Sequence, residues 1–245
     1  MTEALDALRD HPRHQRANKY DPAWVRSLDM GPHPLWQLEE LLRDMSVEPG
    51  MRVLDLGCGK GASAVFLARE FGVDVVAFDA WIGAEEIDRV CAEVGASDRV
   101  TAVQGDVRQL PFDDDHFDAV VSIDAFEYFG TDVHLLPALL RVLRPGGRLG
   151  MSTPALARDP YEHEPSERLR TTLGWEVAAW HSAAWWRRHW ELSGLVNDVS
   201  ARWAPGGHHD WLAWARLGDA DPMADLLQSD TDEEIGFAVV SATKT

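Results

Sequence analysis

Val53-Leu54-Asp55-Leu56-Gly57-Cys58-Gly59-Lys60-Gly61 is the stretch that decides the fold. A short apolar run, Met51–Leu56, reads as a strand and ends in three alternating glycines. Behind them Gly61–Phe71 places Val65, Ala68 and Phe71 at helical spacing. A strand, a glycine loop and a helix in that order form a βα unit whose loop a ligand can approach closely. Glycines let the backbone turn sharply and let a ligand come where a Cβ would collide. The glycines alone would suit a dinucleotide equally well. Two features separate the cases. Asp55 sets a carboxylate at the end of the strand, which repels a pyrophosphate and attracts a ligand carrying a sulfonium and an ammonium. The third glycine stands at 61, and position 62, where the dinucleotide pattern wants glycine, is alanine.

Outward from this loop the chain alternates. Strands are expected at Val73–Phe78, Val100–Val103, Phe117–Ile123 and Arg148–Ser152, and helices at 35–45, Ala84–Val94 and Val133–Leu143. Pro145-Gly146-Gly147 reads as the turn into the Arg148 strand. Such alternation predicts an α/β fold: a Rossmann-like, doubly wound, mostly parallel sheet. Past Pro154 the pattern loosens. A helix is expected within 165–180, another at Ala183–Leu192, and two more near 210–217 and 222–228. Strands at Val196–Trp203 and Phe237–Ala242 bring the sheet to seven. The organisation expected is an N-terminal arm or lid (1–34), a cofactor-binding core (35–154), and a helical cap or insert with the final two strands (155–245).

Composition narrows the function classes. The 245 residues suffice for one large core, and 45% of them are apolar, as in an ordinary globular protein. No segment approaches the roughly 20 apolar residues of a membrane helix. Residues 1–20 are charged from the start, with no export signal, so the expected location is cytoplasmic. Two cysteines, Cys58 and Cys91, make neither a disulfide framework nor a zinc site. A net charge of −18 repels a phosphate backbone, so a nucleic acid is not the expected partner. His208-His209-Asp210 looks like a metal cluster, but adjacent ligands diverge; no metal is expected.

The motifs, taken together, resemble those of the class I S-adenosylmethionine-dependent methyltransferases of small-molecule type, over about residues 35–155. Asp55-x-Gly57-x-Gly59-x-Gly61 resembles the first motif of that family. Asp79, ending Val75-Val76-Ala77-Phe78-Asp79, resembles the acidic residue after the second strand, 24 residues beyond Asp55. Gly105-Asp106-Val107 with Leu110-Pro111-Phe112 resembles the third motif. Phe117–Asp124 resembles the fourth strand and its exit, and Leu143–Leu149 the turn before the fifth. The resemblance implies an antiparallel last strand and a cofactor site made of Asp55, Gly57, Cys58, Gly59, Asp79, Ala80, Trp81, Asp106, Val107, Ile123 and Asp124. Asp79 would accept both ribose hydroxyls. Asp106 would accept from the adenine amino group, or else cap a helix. The Val107 N–H would donate to a ring nitrogen, and Trp81 would pack on the adenine. The cofactor implied is S-adenosyl-L-methionine, leaving as S-adenosyl-L-homocysteine.

Methyl transfer is a direct displacement that needs positioning and water exclusion more than a catalytic triad. The loop Asp124-Ala125-Phe126-Glu127-Tyr128-Phe129 should face the methyl group, with Glu127 and Tyr128 meeting the substrate or merely solvent. It is not the Asn-Pro-Pro-Tyr loop of enzymes that methylate exocyclic or amide nitrogens. His163 and His181 are candidate bases in the cap, His181 the preferred one. Eight of the eleven tryptophans fall between Trp175 and Trp214, where they either wall a pocket for a flat or cationic substrate or fill the gap between cap and sheet. The expected function is methyl transfer to a compact small molecule. The alternatives are a cofactor-binding enzyme of another class, a non-catalytic sensor, or an NAD-dependent oxidoreductase. The acceptor, the atom methylated and the oligomeric state are not legible.

Overall fold

Neighbouring residues of the first strands are both apolar because both faces of the sheet are covered. In β1 (Arg52–Leu56), Val53 enters one core and Leu54 and Leu56 the other. The same division separates Ala77 from Phe78 in β2 (Asp74–Asp79), and Val239 from Val240 in β7 (Ile235–Lys244). The computed structural model describes residue 5 and residues 8–218 and 221–245. Seven strands form one sheet in the order β3-β2-β1-β4-β5-β7-β6, completed by β3 (Val100–Gln104), β4 (Phe117–Ile123), β5 (Leu143–Leu156) and β6 (Val196–Trp203). Strands β1 to β5 pair in parallel, and β7 runs antiparallel to both β5 and β6. This is the doubly wound sheet with an antiparallel last strand that the sequence predicts.

The helices are α1 (Pro22–Leu28), α2 (Pro34–Leu41), α3 (Ala62–Phe71), α4 (Ala84–Glu93), α5 (Leu135–Val142), α6 (Glu167–Leu173), α7 (Ala183–Ser193), α8 (Gly207–Ala215) and α9 (Pro222–Ser229). On one face of the sheet Leu35, Leu38 and Leu41 of α2 join Val65 and Phe66 of α3; on the other, Leu136 and Leu139 of α5 join Trp186 and Trp190 of α7. Ser182 caps α7 by accepting from the Trp185 N–H, and Gly194 ends it in the left-handed region.

Three boundaries differ from expectation. The helix expected over 35–45 ends at Leu41, and residues 42–45 turn back while Met45 stays in the core. β5 begins at Leu143, not Arg148: its pairing with β4 jumps from Phe117↔Leu143 to Ala119↔Arg148, so Pro145-Gly146-Gly147 forms a bulge within the strand. β5 also runs through Pro154 to Leu156. The last β4 partner is Ile123, opposite Ser152, and beyond it the Leu156 N–H turns away from β7 to the Trp180 carbonyl. Pro154, of the same parity, therefore needs no ladder donor.

The N-terminal arm, outside residues 1–4 and 6–7, is tied down. The Ala17 N–H donates to Glu39, the His11 ring meets Asp210 of α8 at 3.0 Å, and Arg43 donates to the Arg13 carbonyl at 2.6 Å. Helix α1 was not anticipated; Asp21 caps it and Pro22 opens it, a start signal that the polar run around it concealed.

Candidate functional site

The carboxyl ends of β1, β2, β3 and β4 open into a cavity of about 770 Å³, where an open α/β sheet places its ligands. Gly57, Cys58, Gly59, Asp79, Ala80, Trp81, Asp106, Val107, Ile123 and Asp124 line it, as does Tyr128. The chain must leave β1 sharply, and Gly57 does so at φ +73°; a Cβ there would stand 2.4 Å from the Ala125 Cβ. The glycine loop and the loop after β4 thus touch along the cavity floor.

Asp79 organises the loop. One carboxylate oxygen accepts from the Gly59 N–H at 2.8 Å, and the other from the N–H groups of Trp81 and Ile82 at 2.7 and 2.9 Å. Asp106 does what its rival reading stated. It caps the short 3-10 helix Val107–Gln109, accepting from the Arg108 N–H at 2.9 Å, and it pairs with the Arg108 guanidinium. The hydrogen bonds from Arg108 hold its carboxyl below the usual carboxylate range. Trp81 stands 67% exposed at the rim, with its ring edge-on to Tyr128 at 5.5 Å.

Asp55 lies behind the loop, not in the cavity wall. It is fully buried; Ser63 donates to one oxygen at 2.6 Å, and the other oxygen has no partner among the described residues. Burial raises its carboxyl to about 7 against the Ser63 bond, and the Asp79 charge adds to the rise. In the folded chain Asp55 therefore holds its proton where the unfolded chain has lost it, and stability falls as pH rises from about 4 to about 7. Asp55→Asn is expected to raise the melting temperature of the free protein by several degrees at pH 8 and by less at pH 5. Equal shifts at the two pH values, read by calorimetry, would show that Asp55 is not the titrating group.

Glu127 and His181 also lie outside the lining. Glu127 is buried and accepts from the Thr153 hydroxyl; burial raises its carboxyl to about 7, against that hydrogen bond. His181 is buried between elements of the cap. Its Nδ1 meets Asp159 at 3.0 Å and its ring stacks on Trp185 at 3.5 Å. Burial lowers its pKa against the Asp159 bond. His163 is exposed. Asp124 does line the cavity, at the unusual φ of +53°. No hydrogen bond or ion pair among the described residues reaches its carboxyl. Burial first, then the charges of Glu127, Glu176 and Asp29, push that carboxyl well above the usual range.

Sequence reasoning expected an arm or lid over 1–34 but named no site residue in it; the segment Leu28–Pro34 closes one side of the cavity with Asp29, Met30, Gly31 and Pro32. Gly31 lies so close to Asp124 that a Cβ on it would stand 2.3 Å from the Asp124 Oδ2. Asp29 is held by Arg26 at 2.6 Å and by the Trp214 indole N–H at 2.7 Å, which ties the segment to α8. The sequence signal available was Gly31 between Met30 and Pro32. Most tryptophans of the cap pack: Trp186, Trp190 and Trp214 are fully buried. Trp175 is the exception, 71% exposed and 6.3 Å from Tyr128. His208 turns to the Ile235 carbonyl and Asp210 to His11, His14 and Arg13, so the His208-His209-Asp210 run does not converge.

Comparison with known proteins agrees with this geometry. Residues 53–147 match a family model described as a methyltransferase domain. A sterol 24-C-methyltransferase of Gibberella zeae is 33% identical over 140 residues, 56% of this chain and 36% of its own length. The 27-O-demethylrifamycin SV methyltransferase of Amycolatopsis mediterranei is 30% identical over 164 residues, 64% of this chain and 59% of its own. The chain thus matches less than two thirds of either relative. Among solved structures, geranyl diphosphate C-methyltransferase from Streptomyces coelicolor, crystallised with Mg2+, geranyl diphosphate and S-adenosyl-L-homocysteine, has the same fold. It superposes with a TM-score of 0.71 at 21% identity, over 98% of this chain and 88% of that one. The glycine loop, the carboxylate after β2 and the sheet order all fall within or around the matched segment, so residues 53–147 of this chain are similar to a methyltransferase domain and lie in a Rossmann-like fold shared with solved methyltransferases.

Proposed function

We propose that the protein transfers a methyl group from S-adenosyl-L-methionine to a small-molecule acceptor bound at the outer end of the cavity. The observation that carries this reading is the unpartnered Asp124 carboxyl, set in the cavity opposite a glycine loop that leaves no room for a Cβ. A half-buried carboxyl that lines a cavity without a partner is costly unless a cation arrives to meet it. An adenosyl amino acid with a sulfonium and an ammonium supplies that charge, whereas a pyrophosphate would add repulsion.

The residues fit such a cofactor in the following roles. Asp79, already oriented by three N–H groups, retains lone pairs for the ribose hydroxyls. The Val107 N–H and, once Arg108 swings aside, Asp106 address the adenine, and Trp81 covers it. Gly57, Cys58 and Gly59 bring backbone to the amino acid portion, and Asp55 braces the loop from beneath through Ser63. Ala80 and Ile123 supply apolar wall. The bound cofactor supplies an electrophilic methyl on a good leaving group; the protein orients it and excludes water. Tyr128 and Asp124 stand at the acceptor end, and Glu127 and His181 act only through neighbours.

The arm 1–34 serves as a lid through its Leu28–Pro34 segment, 35–154 is the cofactor core, and 155–245 is the cap with two strands of the same sheet. Among the described residues no helix is long and apolar enough to cross a membrane. Two buried, unpaired thiols fit a reducing, cytoplasmic setting. The charge of −18 argues against a nucleic acid partner.

Titration calorimetry with S-adenosylhomocysteine and NAD, followed by mass spectrometry for a +14 product, tests the reading; binding of NAD alone would overturn it. Asp79→Ala removes the ribose acceptor and the acceptor of three loop N–H groups. S-adenosylhomocysteine affinity is expected to fall by about 1.5–3 kcal/mol, roughly ten- to a hundredfold. Unchanged affinity would take Asp79 out of the site.

A further inference from the structure

The cofactor reading accounts for only part of what surrounds the cavity. Asp79 is assigned to the ribose and Asp106 is paired with Arg108. Asp29 is paired with Arg26. Asp124 has no partner among the described residues, and Glu127, just behind it, is met by the Thr153 hydroxyl and its own backbone N–H but by no cation. Glu176, half-buried on the 3-10 helix Gly174–Ala179, adds a third carboxylate close enough for its charge to act on both. The cofactor, whose ammonium is offset by its own carboxylate, brings one net positive charge to this acidic cluster.

The rings at the same place are unusual too. Trp81, Tyr128 and Trp175 come from three separate segments, yet they form a chain of contacts, at 5.5 Å and 6.3 Å between centroids, around the rim. All three are exposed, while most other tryptophans of the chain are buried. Exposed aromatic rings near acidic groups, as Tyr128 is near Glu127, Glu176 and Asp124, are surroundings that hold an ammonium: the ring quadrupole and the anions attract the same charge. A neutral or anionic acceptor would leave the carboxylates unmet.

The geometry points to an amine as the methyl acceptor, bound as a cation between Trp81, Tyr128 and Trp175 above Asp124 and Glu176. This inference rests on the cofactor reading and specifies its substrate class. The step balances within the site. The bound ammonium gives an N–H proton to the Asp124 carboxylate, and the freed lone pair forms the N–C bond to the methyl carbon. The C–S bond breaks with its electron pair passing to sulfur, leaving a methylated ammonium, a protonated Asp124 and a neutral thioether. The carboxylate is suited to the proton transfer because its affinity for protons is already raised by burial and by its acidic neighbours.

The test uses the full chain saturated with S-adenosylhomocysteine and two pairs of probes of matched shape: choline against 3,3-dimethyl-1-butanol, and tryptamine against tryptophol. Titration calorimetry and tryptophan fluorescence read binding. At least one cation is expected to bind tenfold or more tightly than its neutral partner. Trp175→Ala and Glu176→Gln, both at the rim, are expected to reduce that preference severalfold while S-adenosylhomocysteine affinity stays as in the parent chain. Equal affinities within both pairs, no binding of either cation to the loaded protein, or a preference that survives both substitutions would overturn the amine assignment and leave the cofactor reading standing. Failure of S-adenosylhomocysteine itself to bind would overturn both.

Discussion

Replacing Gly57 by valine will abolish measurable binding of S-adenosylhomocysteine. The residue sits at φ +73°, and even the first atom of a side chain would stand 2.4 Å from the Ala125 Cβ, a backbone-anchored atom that cannot rotate away. To make room, the loop after β1 must part from the loop after β4, and these two loops form the cavity floor. A loss of more than a hundredfold, about 3 kcal/mol or more, is expected by calorimetry. A paired experiment separates collision from misfolding. Gly57→Ala alone should lose most of the affinity. Adding Ala125→Gly removes the struck atom and should restore it, apart from about 1–2 kcal/mol for holding an L-residue in the left-handed region. If the double variant binds no better than the single one while both melt as the parent does, the contact between the loops is not what shapes the site.

That contact also shows which parts of the site were legible in the sequence. The glycine loop, Asp79, the Gly105-Asp106-Val107 turn and the strand ending at Ile123 each follow a strand whose apolar run is unmistakable. Their arrival at one edge of the sheet follows from parallel topology alone, since every such strand points its carboxyl end the same way. Asp55 was legible as a carboxylate near the ligand but not as one beneath the loop. Its orientation depends on the pleat of β1, where odd and even residues face different layers, and on Ser63 waiting on the α3 side. His181 looked available because a histidine in a polar stretch carries no local sign of burial; only the fold reveals Asp159 and Trp185 around it. The Leu28–Pro34 wall was illegible for a related reason. Its place over the cavity is set by long-range bonds, Trp214 to Asp29 above all, and by the fit of Gly31 against Asp124, neither of which leaves a periodic trace. Proline 154 misled in the opposite direction: it reads as a strand breaker, yet it sits where β5 has lost one neighbour and needs no donor.

The affinity of the protein for S-adenosylmethionine is expected to rise with pH above the ordinary carboxylate range, and more steeply than its affinity for S-adenosylhomocysteine. In the free protein the Asp124 carboxyl is pushed well above the usual range by burial and by Glu127, Glu176 and Asp29, and Glu127 itself to about 7 by burial. The groups facing Asp124 are these three acids and the Tyr128 phenol, itself held protonated by burial. The cations in the cavity wall are Lys60 and Arg108, and Arg108 is already paired with Asp106. Arrival of a sulfonium favours the ionised carboxylate, so binding expels a proton, and affinity grows by up to about tenfold per pH unit for each proton released. The growth stops once the pH exceeds the raised value, where the free protein has already lost the proton. S-adenosylhomocysteine carries no sulfonium and should expel less. Calorimetry at pH 7 in buffers of different ionisation enthalpy counts the protons directly. The Asp124→Asn variant isolates the contribution of the side chain, because titration of the ligand's own amino group is the same in both proteins. The difference in proton release between the two ligands should collapse in that variant. Should it persist unchanged, Asp124 is not the group that senses the sulfonium. The free energy lost by keeping an unpaired carboxyl in the wall would then have to be explained by the acceptor alone.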